Sequence, residues 1–349
     1  MSHALEGFRV LDLSRILAGP FCAMVLGDLG AEVIKVERPG TGDDTRAWGP
    51  PFAGGESAYY LCANRNKKSI TVNLKSSVGQ DLIRQLAKTS DVLIENYKVG
   101  ELAQLGLSYA DLKELNPGLV FCSITGYGQT GPDKDLPGYD FIIQGRGGVM
   151  SITGEPDGEP TKVGVAIADV TAGLYAANAI QASLLARSRT GQGQAIDISL
   201  LDTQVTWLAN VASNYLVSGN RPGRFGNGHP TIVPYQSFRS QSQDGFFCVA
   251  VGNDGQWRKL CQLLETDWAD DERFATNPAR VENRAVIIPL LQEVFLTHET
   301  RFWLHALRGA GIPCGPLQTI DQVFDDPQVL AREMVWTTPH QQFWAKEKV

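Results

Sequence analysis

Strand-like and helix-like segments alternate over the first 125 residues, and this alternation constrains the fold more than any other feature. Residues 9–13 (RVLDL) and 32–37 (EVIKVE) are typical of strands on either side of a helix at about 19–29. A strand, helix, strand order predicts a parallel sheet with right-handed crossovers. Further strands are predicted at 69–74, 91–96, 119–124 and 194–200, with a helix near 80–89. We therefore predict an α/β fold with a Rossmann-like parallel sheet.

The composition changes sharply at residues 220–232, which suggests a linker between two domains. Glycine, proline and arginine cluster there (NRPGRFGNGHP), as they do in linkers. We predict a large α/β domain over residues 1–219 and a small α+β domain over 233–322, which begins with a β-hairpin. A chain of 349 residues is long enough to bury a core in each.

The composition also limits the classes of partner. A formal charge of -7 and an isoelectric point near 5.3 argue against nucleic acid or an anionic membrane as the main partner. The six cysteines form no CxxC pair, which argues against structural zinc and for reduced thiols. No signal peptide or membrane-spanning run is recognisable. We expect a cytoplasmic protein without a metal site.

Glu37 closes the second predicted strand, at the place where a dinucleotide-binding fold carries the acid that binds ribose. The loop after the first strand, SRILAGP, lacks the GxGxxG fingerprint that accompanies this acid in such folds. We therefore expect no nicotinamide cofactor.

Asp169 is the only charged residue between Lys162 and Arg187. It follows an apolar run with β-type residues at 163–168 and precedes a helix predicted over 170–189. At such a junction an aspartate commonly caps the helix by accepting hydrogen bonds from its first free N–H groups. It can also act as a nucleophile that the positive end of the helix dipole keeps ionised. The two interpretations are compatible.

Three polar segments accompany the predicted strand ends. The glycine-rich loop at 39–56 has a length that is typical of functional or mobile loops. The segments 64–69 (NRNKKS) and 95–100 (ENYKVG) place basic and amide groups at the rim where open α/β sheets bind ligands. Taken singly, Lys67 and Lys68 are each predicted to lie on a solvated face.

Together these segments resemble the class III CoA-transferases, the formyl-CoA transferase and carnitine CoA-transferase family. The resemblance is carried, in order, by LEGFRVLDLSRILAGPFCAMVLGDLGAEVIKVERPGTGDDTR, NRNKKSI, ENYKVG, SITGYGQTGP, GYD and the Asp169 stretch that ends in GQGQAIDISLLD. WGPPFAGGESAYYL, HPTIVPYQSF and NPARVENR are most similar to succinyl-CoA:glutarate (dicarboxylate) transferases. Such enzymes move CoA from an acyl-CoA to a free carboxylic acid, and they hold no permanently bound cofactor. The resemblance implies succinyl-CoA as the donor and a dicarboxylate as the acceptor.

The resemblance implies that Asp169 is the nucleophile. A carboxylate that attacks a thioester forms a mixed anhydride, and the returning CoA thiolate converts it to an aspartyl-CoA thioester. GNDGQW matches the family's mobile glycine loop, so Gly252, Gly255 and Gln256 are candidates for covering the intermediate and donating to its oxyanion.

The resemblance also implies which residues bind the substrates. The positions that match the CoA-binding region are Arg38, Val72, Asn96 and Lys98. Those that match the acyl pocket are Trp48, Tyr59 and Tyr139. From the residue type alone, we add the hypothesis that Arg46 binds the distal carboxylate of a dicarboxylic acid with its planar guanidinium. Arg46→Ala would then raise KM for dicarboxylates only.

A racemase or epimerase acting on 2-methylacyl-CoA is the alternative function on the same fold. These racemases place a histidine, one of two proton-transfer groups, at the position that matches Tyr139. GYD replaces GHD in this chain, so a racemase would lack one of its acid-base groups. A catalytically silent CoA-binding protein is a third interpretation, which a truncated C-terminus would favour.

The resemblance further implies an interlocked homodimer, in which each chain threads through the other. Family members continue past VFDDPQVLARE (323–333) with a strand-rich stretch that returns to the large domain. We assign residues 323–349 to this return segment and expect it to be truncated, because the chain ends at Val349.

Overall fold

The structure is a computed structural model that describes residues 3–243 and 245–336. The described chain divides into two compact units. The first contains residues 3–151, 161–222 and 336, and the second contains Ile152–Pro160 and Gly223–Val335.

The first unit is built on a six-stranded parallel sheet, as the sequence predicts. Its strands are β1 (Arg9–Asp12), β2 (Glu32–Glu37), β5 (Lys67–Thr71), β6 (Val92–Glu95), β7 (Val120–Thr125) and β8 (Ala195–Ser199), and β3 (Phe52–Ala53) and β4 (Glu56–Ser57) form a separate hairpin. The strand order is β5-β2-β1-β6-β7-β8. The chain thus builds outward from β1 in one direction and then in the other, so the switch point lies between β1 and β6.

Helices cover both faces of this sheet. They are α1 (Ala18–Asp28), α2 (Ala58–Leu61), α3 (Ser77–Lys88), α4 (Glu101–Gln104), α5 (Tyr109–Lys113), α6 (Asp140–Arg146), α7 (Val149–Ile152), α8 (Ile167–Thr190), α9 (Leu200–Thr206) and α10 (Ala209–Ser218), with a 3-10 turn at Asp44–Ala47. Successive strand residues such as Val10 and Leu11 enter different cores, because side chains alternate across a sheet. The α/β prediction is therefore confirmed.

Single residues determine two features of the helices: a break at Ala209 and a close contact at Gly173. From the sequence alone we predict one helix over residues 200–216. The structure has two helices there, because the backbone at Ala209 takes a φ of 42° and breaks the helical path. Helices α1 and α8 pack closely at Gly173, where an added Cβ would lie 2.7 Å from the Ala18 carbonyl oxygen. A glycine is required there by the close approach of the two backbones.

The second unit is a small α+β unit with an antiparallel sheet of order β11-β10-β9. Its elements are β9 (Tyr235–Arg239), β10 (Phe246–Ala250), α11 (Asp254–Leu263), α12 (Asn277–Glu282), α13 (Arg284–Phe295), α14 (Thr300–Gly309), β11 (Cys314–Pro316), α15 (Ile320–Asp325) and α16 (Pro327–Ala331). Phe247 and Trp303 both contact Phe295 edge to face, with ring centroids 5.1 Å apart, and form the centre of its core.

The chain enters the second unit twice. The Gly226 N–H donates to the Gly154 carbonyl oxygen at 3.0 Å, and Arg224 donates to the carbonyl oxygens of Glu155 and Gly158 at 3.1 and 2.6 Å. Residues Ile152–Pro160 thus lie in the second unit, although the sequence assigned them to the first domain. Of the predicted return segment, 323–335 also lie in the second unit, and 337–349 lie outside the described residues.

Candidate active site

Helix α8 carries Asp169, but it begins earlier than the sequence predicts. Its first residue is Ile167, and Ala166 occupies the N-cap position, where no side chain bonds to the helix. Asp169 is therefore the third residue of the helix, and its interpretation as the cap is wrong. Residues 163–168, all of them described, form no strand, because the helix has already begun within that run.

Asp140 accepts a hydrogen bond of the kind that a cap residue of α8 would have accepted. Its Oδ1 accepts from the Ala168 N–H at 2.8 Å, and its Oδ2 accepts from the Gln144 side-chain amide at 2.7 Å. The same amide accepts, through Oε1, from the Val163 N–H at 2.8 Å. Asp140 and the buried Gln144, one turn apart on α6, therefore hold the segment that leads to Asp169. The sequence did not indicate this role for either residue.

The carboxyl group of Asp169 is poised between its two protonation states. Burial, and then the negative charge of Asp140, raise the pKa of Asp169 to about 7. A helix N-terminus stabilises an anion by only ~0.3–1 kcal/mol, which is too little to reverse the effect of burial. Both forms are thus present near neutral pH, and the ionised form is the nucleophilic one.

Two of the predicted acyl-pocket residues lie together near Asp169. Burial, and then the charge of Asp169, raise the pKa of Tyr59 to about 12, which keeps its phenol protonated. The rings of Trp48 and Tyr59 meet edge to face with centroids 5.2 Å apart, and Trp48 is 47% exposed. Tyr139 precedes α6 directly and is 66% exposed. Tyr59 thus lies within reach of the charge of Asp169, and Trp48 packs against Tyr59, whereas the role of the three aromatic residues as an acyl pocket stays a prediction.

Arg46 is held by carboxylates of the protein itself. Its Nε and Nη2 donate to the two oxygens of Glu37 at 2.8 and 2.7 Å, and its Nη1 donates to Glu56 at 2.6 Å. Nη2 also donates to the Tyr60 hydroxyl at 2.6 Å. The guanidinium of Arg46 is thus bound by carboxylates of the protein itself. This gives no support to the hypothesis that Arg46 binds a substrate carboxylate. Glu37 is equally occupied, so it presents no free acid to a ribose.

We expect Arg46→Ala to lower the free energy of unfolding by about 2–3 kcal/mol at pH 7, because it leaves buried Glu37 without its main partner. Burial would raise the pKa of Glu37, but hydrogen bonds from Arg46 and Ser69 outweigh it and lower that pKa from 4.5 to about 2. This contribution is present above pH 4.5 and is lost as the pH falls toward 2. Urea titrations at pH 3 and pH 7 measure the difference.

The matched control is Arg65→Ala, which breaks the exposed pair with Asp28 and should change the free energy of unfolding by less than about 1 kcal/mol. An Arg46→Ala protein of unchanged stability that loses affinity for dicarboxylates alone would contradict the structural role and restore the substrate contact.

A cavity of about 630 Å³ opens at the carboxyl ends of the strands around the switch point. Its lining includes Arg15 after β1, Arg38 after β2, Val72 after β5 and Tyr97 after β6. Open α/β sheets bind their ligands at this place, because the loops on either side of the switch point diverge. Two predicted CoA-binding residues, Arg38 and Val72, thus share one cavity.

The other two predicted CoA-binding residues are placed differently. The side-chain amide of Asn96 accepts from the Arg15 N–H at 2.9 Å and donates to the Arg15 carbonyl oxygen at 2.7 Å. Asn96 therefore positions the backbone of a cavity residue. Lys98 is exposed and does not line the cavity.

Two buried ion pairs lie at or near this cavity, and one of them, Lys35 with Asp43, belongs to its lining. Lys67 contacts Asp12 at 3.0 Å, and Lys35 contacts Asp43 at 2.9 Å, and each of the four side chains is at most 2% exposed. Lys35 also donates to the Ser14 carbonyl oxygen at 3.0 Å. The prediction of a solvated Lys67 is wrong, because Asp12 provides it with a buried partner.

The neighbouring residue behaves as the sequence predicts. The side chain of Lys68 is 75% exposed, so its prediction is confirmed, and it pairs with Glu32 at 2.8 Å.

The second unit carries the predicted glycine loop, and side chains of the loop itself bond to its backbone N–H groups. The Gly252 N–H donates to Gln256 Oε1 at 2.7 Å, and the Gln256 N–H donates to Asn253 Oδ1 at 2.9 Å. Fully buried Arg280 pairs with Asp254 at 2.9 Å. Gly255 is exposed in the first turn of α11. The role of Gly252, Gly255 and Gln256 in covering an intermediate stays a prediction.

No helix in the described part of the chain has both the length and the apolar character needed to cross a membrane.

Comparison with known proteins agrees with the fold. The profile of CoA-transferase family III matches residues 5–347. Succinate–glutarate CoA-transferase of Agrobacterium fabrum is 52% identical over 335 residues, which are 94% of this chain and 83% of that protein. Succinyl-CoA:glutarate CoA-transferase of Homo sapiens is 48% identical over 337 residues, which are 96% of this chain and 76% of that protein.

A solved structure provides an independent comparison. The crystal structure of a CAIB/BAIF family protein from Brucella suis matches with a TM-score of 0.88 at 49% sequence identity, and the match covers 100% of this chain and 95% of that one. The resemblance inferred from the sequence is thereby confirmed. With its profile match over nearly the whole length, the chain belongs to CoA-transferase family III.

Proposed function

We propose that this protein moves CoA from succinyl-CoA to glutarate or a closely related dicarboxylate, with Asp169 as the nucleophile. The observation that carries the proposal is the partly buried carboxyl group of Asp169, with a pKa of about 7, close to the Trp48 and Tyr59 pair. The names of the two transferases that are 52% and 48% identical to this chain support the choice of donor and acceptor.

The exchange of CoA between two carboxylic acids requires a nucleophile, and none of its steps requires a net proton transfer. A carboxylate oxygen of Asp169 attacks the thioester carbonyl carbon, the C–S bond breaks, and the CoA thiolate leaves behind a mixed anhydride. The thiolate attacks the aspartyl carbonyl carbon and releases succinate, which leaves an aspartyl-CoA thioester. The acceptor carboxylate attacks that carbon and expels the thiolate. The thiolate then attacks the acyl carbon of the acceptor, which forms the new thioester and frees Asp169.

Residues of the first unit and the second unit have separate tasks in this proposal. The cavity with Arg38 and Val72 holds the CoA nucleotide, and Trp48 and Tyr59 pack against the acyl chain. Gly252 and Gly255 donate to the oxyanions of the tetrahedral intermediates. The Gly252 N–H is bonded to Gln256, so that hydrogen bond has to open first.

Covalent trapping tests the proposal directly. The protein is incubated with succinyl-CoA, trapped with hydroxylamine or borohydride, and mapped by peptide mass spectrometry, with succinate, glutarate, adipate and oxalate compared as acceptors. We expect a label on the Asp169 peptide and the fastest exchange with glutarate. Normal binding of CoA without any label would overturn the nucleophile. Deuterium exchange at the α-carbon of a 2-methylacyl-CoA would then indicate a racemase.

We expect Asp140→Asn to shift the pH profile of kcat/KM to lower pH by about 0.5–1 unit. In the unchanged protein kcat/KM should rise with pH and level off above about 7, because ionised Asp169 is the nucleophile. Removal of the neighbouring negative charge lowers the pKa of Asp169, so the plateau begins earlier. Asp133→Asn is the control, since Asp133 pairs with Arg146 instead. An upward shift, or equal shifts in both variants, would contradict this assignment.

We also propose that two copies form an interlocked homodimer in the cytoplasm. Large apolar side chains on α8 and α10 are exposed in the single chain: Leu185, Leu216 and Val217 are 63%, 79% and 89% exposed. Exposed apolar surface of this kind supports an interface with a second copy. All six cysteines are free thiols, which suits a reducing compartment. Light scattering should give twice the chain mass of 38.0 kDa, and a monomer would contradict the assembly.

A further inference from the structure

Two arginines at the mouth of the 630 Å³ cavity share one carboxylate. Arg15 Nη1 lies 3.0 Å from Asp44 Oδ2, and Arg38 Nη2 bonds to the other oxygen, Oδ1. The three side chains are 38%, 52% and 35% exposed, so solvent and ligands reach them. Arg15 and Arg38 line the cavity, whereas Asp44 is not among its lining residues.

The backbone of Arg15 is held firmly in this place. Asn96 bonds to both its N–H and its carbonyl oxygen, and the next residue, Ile16, has a φ of 71°. A branched side chain rarely adopts this left-handed conformation, which persists only when surrounding contacts enforce it. The Arg15 guanidinium also lies 5.8 Å from the ring centroid of Tyr97, another cavity residue. The fold therefore keeps the guanidinium at the cavity mouth.

We propose that Asp44 is a displaceable counter-ion, and that a phosphate group of the CoA nucleotide takes its place between Arg15 and Arg38. The inference rests on the proposed function, which makes a CoA thioester the ligand. It assigns phosphate binding to Arg15, and it gives Asp44 the task of holding two like charges in a geometry that suits a phosphate. Guanidinium groups bind phosphate oxygens in the same forked arrangement that they use with carboxylates.

The position of Asp44 connects this clamp to the acyl pocket. Asp44 begins the 3-10 turn Asp44–Ala47, and Trp48, which packs against Tyr59, follows that turn directly. The nucleotide phosphate and the acyl group thus act on two ends of one short segment. Release of Asp44 by the phosphate frees the first residue of the turn while the CoA thioester is being bound.

Binding measurements on the full chain test the counter-ion directly. CoA and adenosine 3′,5′-bisphosphate are titrated by calorimetry at low salt, with Asp44→Asn and Arg15→Gln compared to the unchanged protein. We expect Asp44→Asn to tighten both ligands about five- to tenfold, because a competing negative charge is removed. Arg15→Gln should weaken both at least about tenfold. The effect of Asp44→Asn should shrink with added salt, because the groups are half exposed.

Asp28→Asn is the matched control. It removes the carboxylate of another exposed pair, with Arg65, and changes the net charge equally, so its affinity for both ligands should stay unchanged. Unchanged or weaker binding by Asp44→Asn, at an unaltered melting temperature, would overturn the proposal. Equal tightening by Asp28→Asn would overturn it too, since the effect would then be one of net charge.

The two proposals fail in different ways. Binding needs no turnover, so a protein that binds CoA with the expected responses but exchanges no acyl group would contradict the proposed function alone. A protein that exchanges acyl groups normally while Asp44→Asn binds CoA no more tightly would contradict the counter-ion alone.

Discussion

Replacement of Asp169 by asparagine is expected to lower the transfer rate at least about a thousandfold, because the amide cannot form the anhydride. The carboxyl group lies in the first turn of α8, and no other described carboxylate is placed at that helix end except Asp140, which is bonded to Ala168 and Gln144. The assay is exchange between succinyl-CoA and glutarate, with peptide mapping to show that the label is lost. A variant that keeps a tenth of the activity would contradict the role of Asp169.

The same substitution should stabilise the protein above pH 7. The pKa of Asp169 is 3.8 when unperturbed and about 7 in the fold, so between these values the unfolded chain releases a proton that the folded chain retains. Stability is therefore lost as the pH rises from about 4 to 7, and asparagine avoids this loss. After allowance for partial exposure we expect a gain of about 1–2 kcal/mol, or roughly 1–3 °C in Tm at pH 8. Thermal melts at pH 8 and pH 4 should show the gain only at pH 8.

The second large effect concerns the buried pair of Lys67 and Asp12. We expect Lys67→Met to lower the free energy of unfolding by about 3–5 kcal/mol, because it leaves a buried carboxylate without its main partner. Burial lowers the pKa of Lys67 to about 8, while Asp12 keeps it from falling further, so the pair is charged at pH 7. Urea unfolding monitored by tryptophan fluorescence measures the change.

The adjacent lysine provides the control. Lys68→Met removes a side chain that is 75% exposed and should change stability by less than about 1 kcal/mol. Asp12→Leu combined with Lys67→Met should recover much of the loss, because no unpaired charge then remains buried. Equal losses for Lys67→Met and Lys68→Met would show that the buried pair has no special role.

Local patterns were sufficient to predict the sheet, and its strands lie close to their expected positions. The strand predicted at 32–37 is β2 without any change of bounds, because three β-branched residues between a glycine and a proline are a strong local signal. The strand order was not predicted in detail. It depends on which strands pair across long stretches of sequence, and no local pattern records that.

The errors at the site have a common cause. Asp169 was placed correctly at a helix end, but the capping hydrogen bond is made by Asp140, which precedes Ala168, its donor, by 28 residues. Arg46 was assigned to substrate because Glu37, its partner, lies in another element. Lys67 was expected in solvent because Asp12 precedes it by 55 residues. A side chain of given type has several uses, and its partner in space decides among them.

The double passage of the chain through the second unit has a consequence for synthesis on the ribosome. Ile152–Pro160 is made roughly 60 residues before Gly223, so it waits about 3–12 s for the backbone that it will bond to. The strand β8 and the helix α8 emerge during that interval. The nascent parallel sheet can therefore acquire its last strand while the nine residues Ile152–Pro160 still lack their hydrogen-bond partners. During this interval the segment is available to a chaperone.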